Sequence, residues 1–213
     1  MKGDRQPMNT GMNERAGACE AAQRLQEALN RSGAMQEGHF RLTSGRHSDR
    51  FFLLSLLFQH PALAGEAAGL LADLLRPYGA ATVIGPAMGG VILAYETARH
   101  LGLRAMYTEK TPPGDAGAGP AMALRRGFRL EPGEKVVMVE DVLTTGGSLR
   151  AAIEAVRAAG GDIVAAGVLI DRSGGTAALD VPLLSVWSTT VADWAPEECP
   201  LCRQGIPLTL PKA

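Results

Sequence analysis

The sequence predicts an α/β fold, a mostly parallel central sheet flanked by helices with its ligand site at the carboxyl ends of the strands. Three observations carry this. Apolar runs at 136–139 and 163–170 lack the polar alternation of a half-exposed strand, so they read as strands buried on both faces, and 82–84 reads as a further strand. Between them lie segments with helical spacing: Leu63, Ala67, Leu70, Leu71 and Leu74 in one, Ile153, Val156 and Ala159 in another. Two glycine-rich turns, GPAMGG at 85–90 and LTTGGS at 143–148, each follow a strand and open a helix.

The elements follow in order. Residues 1–16 are polar, carry internal methionines Met8 and Met12 that could be alternative starts, and read as a flexible leader to a single domain over 17–213. Leu25 and Leu29 mark a helix over 17–32, stopped near Gly33. A turn at Ser44 and Gly45 separates two β-like runs at 40–42 and 50–54. Pro61 opens the next helix, and Pro77 and Gly79 stop it. Strand 82–84 leads through the first glycine turn into helix 91–101, and 103–107 is the next strand. Residues 111–121, rich in Pro, Gly and Ala without hydrophobic period, are expected to be a mobile loop. Strand 163–170 ends at Asp171 and Arg172, and 183–186 is the last strand.

Composition excludes several classes. A chain of 213 residues, 46% hydrophobic, holds one α/β core, and its net charge of −1 argues against a bulk nucleic-acid binder. No apolar run reaches membrane-spanning length, and the first residues lack the apolar centre of a signal peptide, so a cytoplasmic protein without membrane contact is expected. Three cysteines without framework spacing fit a reducing compartment. Cys199 and Cys202 have zinc-knuckle spacing, but one pair supplies two of the four ligands that a structural zinc takes, and Cys19 is far away in sequence. Unless two subunits each give a pair, we expect reduced, solvent-near thiols.

The stretch from Val136 to Gly161 carries the most chemistry. The turn after its strand sits at a helix N-terminus, where free backbone N–H groups and the positive end of the dipole favour an anion. Gly146 and Gly147 allow close approach, and Thr144, Thr145 and Ser148 add hydroxyl donors. Glu140 and Asp141 would repel a phosphate, so they should meet a sugar diol, a bound metal ion, or both. A phosphorylated ribose satisfies both halves. No Lys follows Gly147 as a Walker A loop needs, and a Rossmann turn has spaced glycines without the acids; an ordinary capped turn is the plain alternative. The 85–90 turn offers a second anion site, and two such sites suit a ligand with phosphates at both ends.

VVMVEDVLTTGGS resembles the phosphoribosyl pyrophosphate (PRPP) motif of the type I phosphoribosyltransferases, and GHFRLTSGRHSDRFF resembles the orotate phosphoribosyltransferase signature. The likeness spans about 38–180 and extends to the tail CPLCRQGIP. It implies transfer of a 5-phosphoribosyl group from PRPP to orotate in pyrimidine biosynthesis, with Mg2+ as cofactor and a homodimer with shared sites. It also implies a small hood built from 17–60 with part of the C-terminal segment. PRPP would lie along Glu140, Asp141, Val142, Leu143, Thr144, Thr145, Gly146, Gly147 and Ser148, with Gly89, Gly90 and Lys110 toward the pyrophosphate. The resemblance implies catalytic roles for Glu140, Asp141 and Lys110, with the two acids related to magnesium through ribose hydroxyls or water.

Orotate would meet Arg172 through its carboxylate, Thr144, and the rings of Phe51 and Phe52. Packing of the two phenylalanines in the core, and an Arg172–Asp171 ion pair, remain open alternatives. This chain departs from better-known members at Thr43 and at Met88–Gly89, where a Lys is common, and in its loop; Arg125 and Arg126 are candidates for the missing charge. A phosphoribosyltransferase for another base, and a non-catalytic regulator on this fold, are the other readings.

Overall fold

Backbone pairing and burial sort the chain into two sheets of different character. The structure is a computed structural model and describes residues 10–42, 44–112 and 121–211. In chain order the elements are α1 (Thr10–Ser32), β1 (Met35–Arg41), β2 (His47–Phe52), α2 (Ser55–Phe58), α3 (Pro61–Leu75), β3 (Thr82–Pro86), α4 (Gly89–Leu101), β4 (Arg104–Lys110), β5 (Met122–Leu124), β6 (Lys135–Leu143), α5 (Gly147–Ala158), β7 (Asp162–Asp171), β8 (Leu183–Ser188), β9 (Asp193–Trp194) and α6 (Pro200–Arg203). The large sheet has the order β5-β4-β3-β6-β7-β8. Its ladders are parallel except at the edge, where β5 runs antiparallel to β4.

The predicted α/β class holds, and the side chains of β6 show why. Successive residues of a strand face opposite sides. Val137 and Val139 join the core made with α1, α3 and α4, while Val136 and Met138 join the one under α5. All four are fully buried, which is the reason for an unbroken apolar run. Gly167 sets the depth of α3: a Cβ there would come within 2.8 Å of the Leu71 side chain. Larger residues would push the helix off the sheet.

Two boundaries differ from the sequence expectation. Helix α1 begins at Thr10, inside the segment expected as a leader; Met12, Glu14, Arg15 and Ala16 are good helix formers with no proline among them, and Gly17 is carried within the helix. Strand β6 continues through Glu140 and Asp141 because its ladder with β7 persists, pairing Glu140 with Val168 and Val142 with Ile170. Backbone pairing overrides polar side chains there. Residues 1–9, Thr43 and 113–120 of the expected loop lie outside the described residues.

The small sheet, β1-β2-β9, is antiparallel. Its hairpin is longer than predicted, and a register shift between Glu37 and Phe40 marks an irregularity in β1. The C-terminal segment lies along β1: Arg41 N donates to Thr209 O at 3.0 Å, and Thr209 N to His39 O at 2.7 Å.

Candidate active site

At the carboxyl end of β6 the chain turns through Thr144 and Thr145 into α5. Gly146 caps this helix at φ +75°, a left-handed conformation that glycine adopts without strain. The first helical bond is Arg150 N to Gly146 O at 2.9 Å, so the preceding N–H groups have no partner within the helix and point where an anion would sit. Arg150 holds the turn from outside, its guanidinium donating to the carbonyls of Thr145 and Ala178. Sequence reasoning missed this residue, because an arginine one turn into a helix looks like any solvated one.

The two glycine turns meet at Asp141. A Cβ on Gly89 would lie 2.6 Å from Asp141 Oδ2, and one on Gly85 would lie 2.4 Å from Gly90 O. Both glycines are therefore required by close approach, of the turn to the carboxylate and of the turn to itself. Asp141 Oδ1 also accepts from Val142 N at 2.8 Å. Burial, and then the adjacent Asp141 carboxylate, push Glu140 up from 4.5 to about 7. Such a pair is relieved by a divalent cation or by hydroxyl donors, so the donor set fits what the acids were expected to hold.

Beside the phosphate turn is a cleft of about 1450 Å³ between the large sheet, the small sheet and the C-terminal segment. Thr144, Thr145, Arg172, Phe51 and Phe52 line it, opposite Arg41, Leu208 and Leu210. Arg172 follows β7 directly, and its N–H bonds to Leu143 O at 2.8 Å, which fixes it beside the turn. Its Cζ lies 5.3 Å from the centre of the Phe52 ring. The Nε atom is buried with no hydrogen-bond partner among the described residues. Burial lowers the Arg172 pKa from its ordinary value, opposed by Asp193. No Arg172–Asp171 ion pair forms among the described residues; Asp171 Oδ1 accepts from Ser173 N at 2.7 Å instead. Phe51 and Phe52 both pack and line: Phe51 tilts against Phe40 at 5.9 Å, and Phe52 meets Trp187 edge-on at 5.8 Å.

Glu140, Asp141, Gly89, Gly90 and Lys110 do not line this cleft. Lys110 ends β4 and is exposed, at the base of the 111–121 segment, which Thr111 N and Ala121 O close at 3.0 Å. Arg126 is not free to meet a distant charge in this conformation: its Nε and terminal nitrogen each donate to Glu109 at 3.0 Å. This pair raises the Arg126 pKa and lowers that of Glu109.

The expectation of a solvent-near cysteine pair fails for Cys199, which is fully buried. Its surroundings hold His39 and His47, 160 and 155 residues before the thiols they approach, a distance over which sequence reading has no signal.

Comparison with known proteins identifies the family. The phosphoribosyl transferase domain family matches residues 55–201. An orotate phosphoribosyltransferase of Pelotomaculum thermopropionicum is 49% identical over 183 residues, 86% of this chain and 93% of that protein. One of Thermotoga maritima is 45% identical over 187 residues, 88% and 96% of the two chains. Among solved structures, orotate phosphoribosyltransferase from Aeropyrum pernix superposes with a TM-score of 0.65 at 30% identity, covering 77% of this chain and 93% of that one.

Proposed function

The chain belongs to the phosphoribosyltransferases and, among them, to the orotate phosphoribosyltransferase family, and we propose that its two glycine turns and its cleft divide one reaction between them. In that reaction orotate N1 attacks the anomeric carbon of PRPP, a C–N bond forms, the C–O bond to pyrophosphate breaks, and orotidine 5′-monophosphate and pyrophosphate leave. The reading places the 5-phosphate on Thr144, Thr145, Gly146, Gly147 and Ser148, with Val142 and Leu143 setting the turn. The ribose hydroxyls lie toward Glu140 and Asp141, and the pyrophosphate toward Gly89 and Gly90.

The observation that carries the base assignment is the buried Arg172 Nε without a partner, stacked on Phe52 beside Thr144. A buried donor left unsatisfied costs about 1–3 kcal/mol, and a planar carboxylate relieves it through a two-pronged contact. Orotate brings such a carboxylate on a flat ring. The Phe52 ring and the Thr144 hydroxyl then hold the base so that N1 faces the sugar.

As pyrophosphate departs, positive charge grows on the ribose, and the Asp141 carboxylate stabilises it. Glu140 and Asp141, together with the ribose hydroxyls, would hold magnesium, which would supply charge neutralisation at the pyrophosphate. Lys110 supplies a further cation from the loop base, and Arg125 is a second source. The loop excludes water that would hydrolyse PRPP, and the family resemblance favours a homodimer in which it serves the neighbour's site. The small sheet with the C-terminal segment acts as a hood over the base. No helix among the described residues is long and apolar enough to cross a membrane, and we take the enzyme to work in the cytoplasm.

Loss of orotate absorbance on adding PRPP and magnesium tests the proposal directly. Activity with orotate is expected. Activity with a purine base instead, or tight PRPP binding without turnover, would reject it.

A further inference from the structure

A cluster that the reaction above does not use lies where β1, β2 and α6 meet. His39, His47, Cys199 and Cys202 each present one ligand atom, and these atoms all lie within 4.8 Å of one another. His39 Nε2 is 3.0 Å from His47 Nδ1, 3.4 Å from Cys199 Sγ and 3.6 Å from Cys202 Sγ. Cys202 Sγ is 3.3 Å from His47 Nδ1. A tetrahedral zinc with Zn–S of about 2.3 Å and Zn–N of about 2.0–2.1 Å sets its ligand atoms roughly 3.3–3.8 Å apart. The three sulfur–nitrogen distances fall in that range, and the nitrogen–nitrogen distance is slightly inside it.

Further features point the same way. His39 Nδ1 lies 2.8 Å from Ile206 O, a contact in which the ring N–H donates to the carbonyl; the Nε2 lone pair is then directed into the cluster, the outer support that metal-bound histidines carry. His39, His47 and Cys199 are only 2%, 5% and 0% exposed, so three of the four donors are withdrawn from water, and Cys202 closes the group at the surface. Pro200 opens the single turn of α6, which returns Cys202 beside Cys199. The register shift in β1 accompanies the approach of His39 to His47, although Arg41 is the ladder partner of His47. The donor set of two thiols and two imidazoles selects zinc over magnesium, and all four come from one chain.

We propose that this chain binds one structural zinc ion through His39 Nε2, His47 Nδ1, Cys199 Sγ and Cys202 Sγ. Binding displaces two thiol protons, leaving two thiolates and two neutral imidazoles around the ion. Four protein ligands leave no open position, so the ion has no place for substrate. Its effect is on the hood. Cysteines 152 to 163 residues from the histidines are tied to the hairpin, and the adjoining segment is the one that pairs Thr209 with His39 and Arg41 and brings Leu208 and Leu210 to the cleft. The ion closes a long loop and fixes the wall that faces the base.

The test uses the untagged full-length chain. Elemental analysis after dialysis should find about one zinc per chain, and X-ray absorption should find a shell of two sulfurs and two nitrogens. Stripping under reducing conditions and adding cobalt should give visible bands of tetrahedral intensity with a near-ultraviolet thiolate charge-transfer band. Cys202→Ser should weaken zinc binding by at least about 100-fold, beyond the loss from an outer-shell partner, and Cys19→Ser should change nothing. Because a ligand variant can misfold, the wild-type apo chain titrated with zinc gives an independent reading: its melting temperature should rise until one equivalent is bound. A wild-type chain that takes up neither zinc nor cobalt, a bound ion retained at full stoichiometry by a folded Cys202→Ser chain, or a Cys199–Cys202 disulfide as the stable form would overturn the proposal.

Discussion

The phosphate turn and the base cleft sit side by side, yet they are built in opposite ways. The turn is contiguous: strand, acids, hydroxyls, glycines and helix run without a break from β6 into α5. The cleft wall is assembled from the β1–β2 hairpin, the residues after β7, the segment near β9 and the chain past α6. Contacts across it join residues 144 to 167 apart, such as Ser48 Oγ to Ala192 O at 2.8 Å and His39 to Ile206. A phosphate needs backbone N–H groups, which one helix end supplies, whereas a flat carboxylated base needs a cation and faces from several directions. Chemistry confined to one segment can be read from that segment. Chemistry assembled over long separations depends on loop closures that local pattern does not encode.

Breaking the contiguous half should have the largest effect. Asp141→Asn should lower kcat by about 10²–10³-fold with little change in PRPP affinity, since its charge matters most when the sugar becomes cationic. Transient kinetics with a separate PRPP titration reads both quantities; a loss confined to PRPP binding would remove Asp141 from that role. Gly89→Ala should reproduce a weaker version, up to about 10²-fold, because the added methyl meets Asp141 Oδ2 at 2.6 Å and must displace it. Unchanged kcat in a folded Gly89→Ala chain would show that the carboxylate position is unimportant.

A smaller effect concerns stability. Glu140 is raised from 4.5 to about 7 by burial and by Asp141, so the folded free enzyme keeps a proton that the unfolded chain loses near 4.5. This contribution is fully present below about pH 4.5, is lost as pH rises through about 7, and is flat above that. Glu140→Gln should therefore stabilise the ligand-free protein at pH 8 by about 1–3 kcal/mol relative to wild type, and the advantage should vanish toward pH 4.5. Thermal melts across that range measure it. Parallel pH profiles for the two proteins would show that Glu140 is not desolvated in solution.

The same contrast explains what was legible in the sequence. The parallel sheet was readable because strands buried on both faces must be apolar throughout, as 136–139 are. Asp141 was readable because it follows directly on an apolar run, and the phosphate turn and Arg172 because each follows directly from a strand end. The start of α1 was not, since 10–16 contain no stop signal and no strong apolar period. Short β5 and β9 have too few residues to show a pattern and exist through their partners. Arg150 acts through carbonyls that only the turn geometry brings near. His39 and His47 were hidden twice, by an irregular register in β1 and by their distance from Cys199 and Cys202.

In the proposed reaction a cleft cation recognises the base while the contiguous turn recognises the phosphoribosyl group. Steady-state kinetics of Arg172→Ala, with orotate and PRPP varied independently, tests it most directly. The orotate KM should rise by at least about 10-fold, the size of a lost charged hydrogen bond of about 1.5–3 kcal/mol, with the PRPP KM within about 2-fold of wild type. Uracil, which lacks the carboxylate, should lose its disadvantage relative to orotate. Equal rises in both KM values, or an unchanged preference for orotate over uracil, would contradict the account.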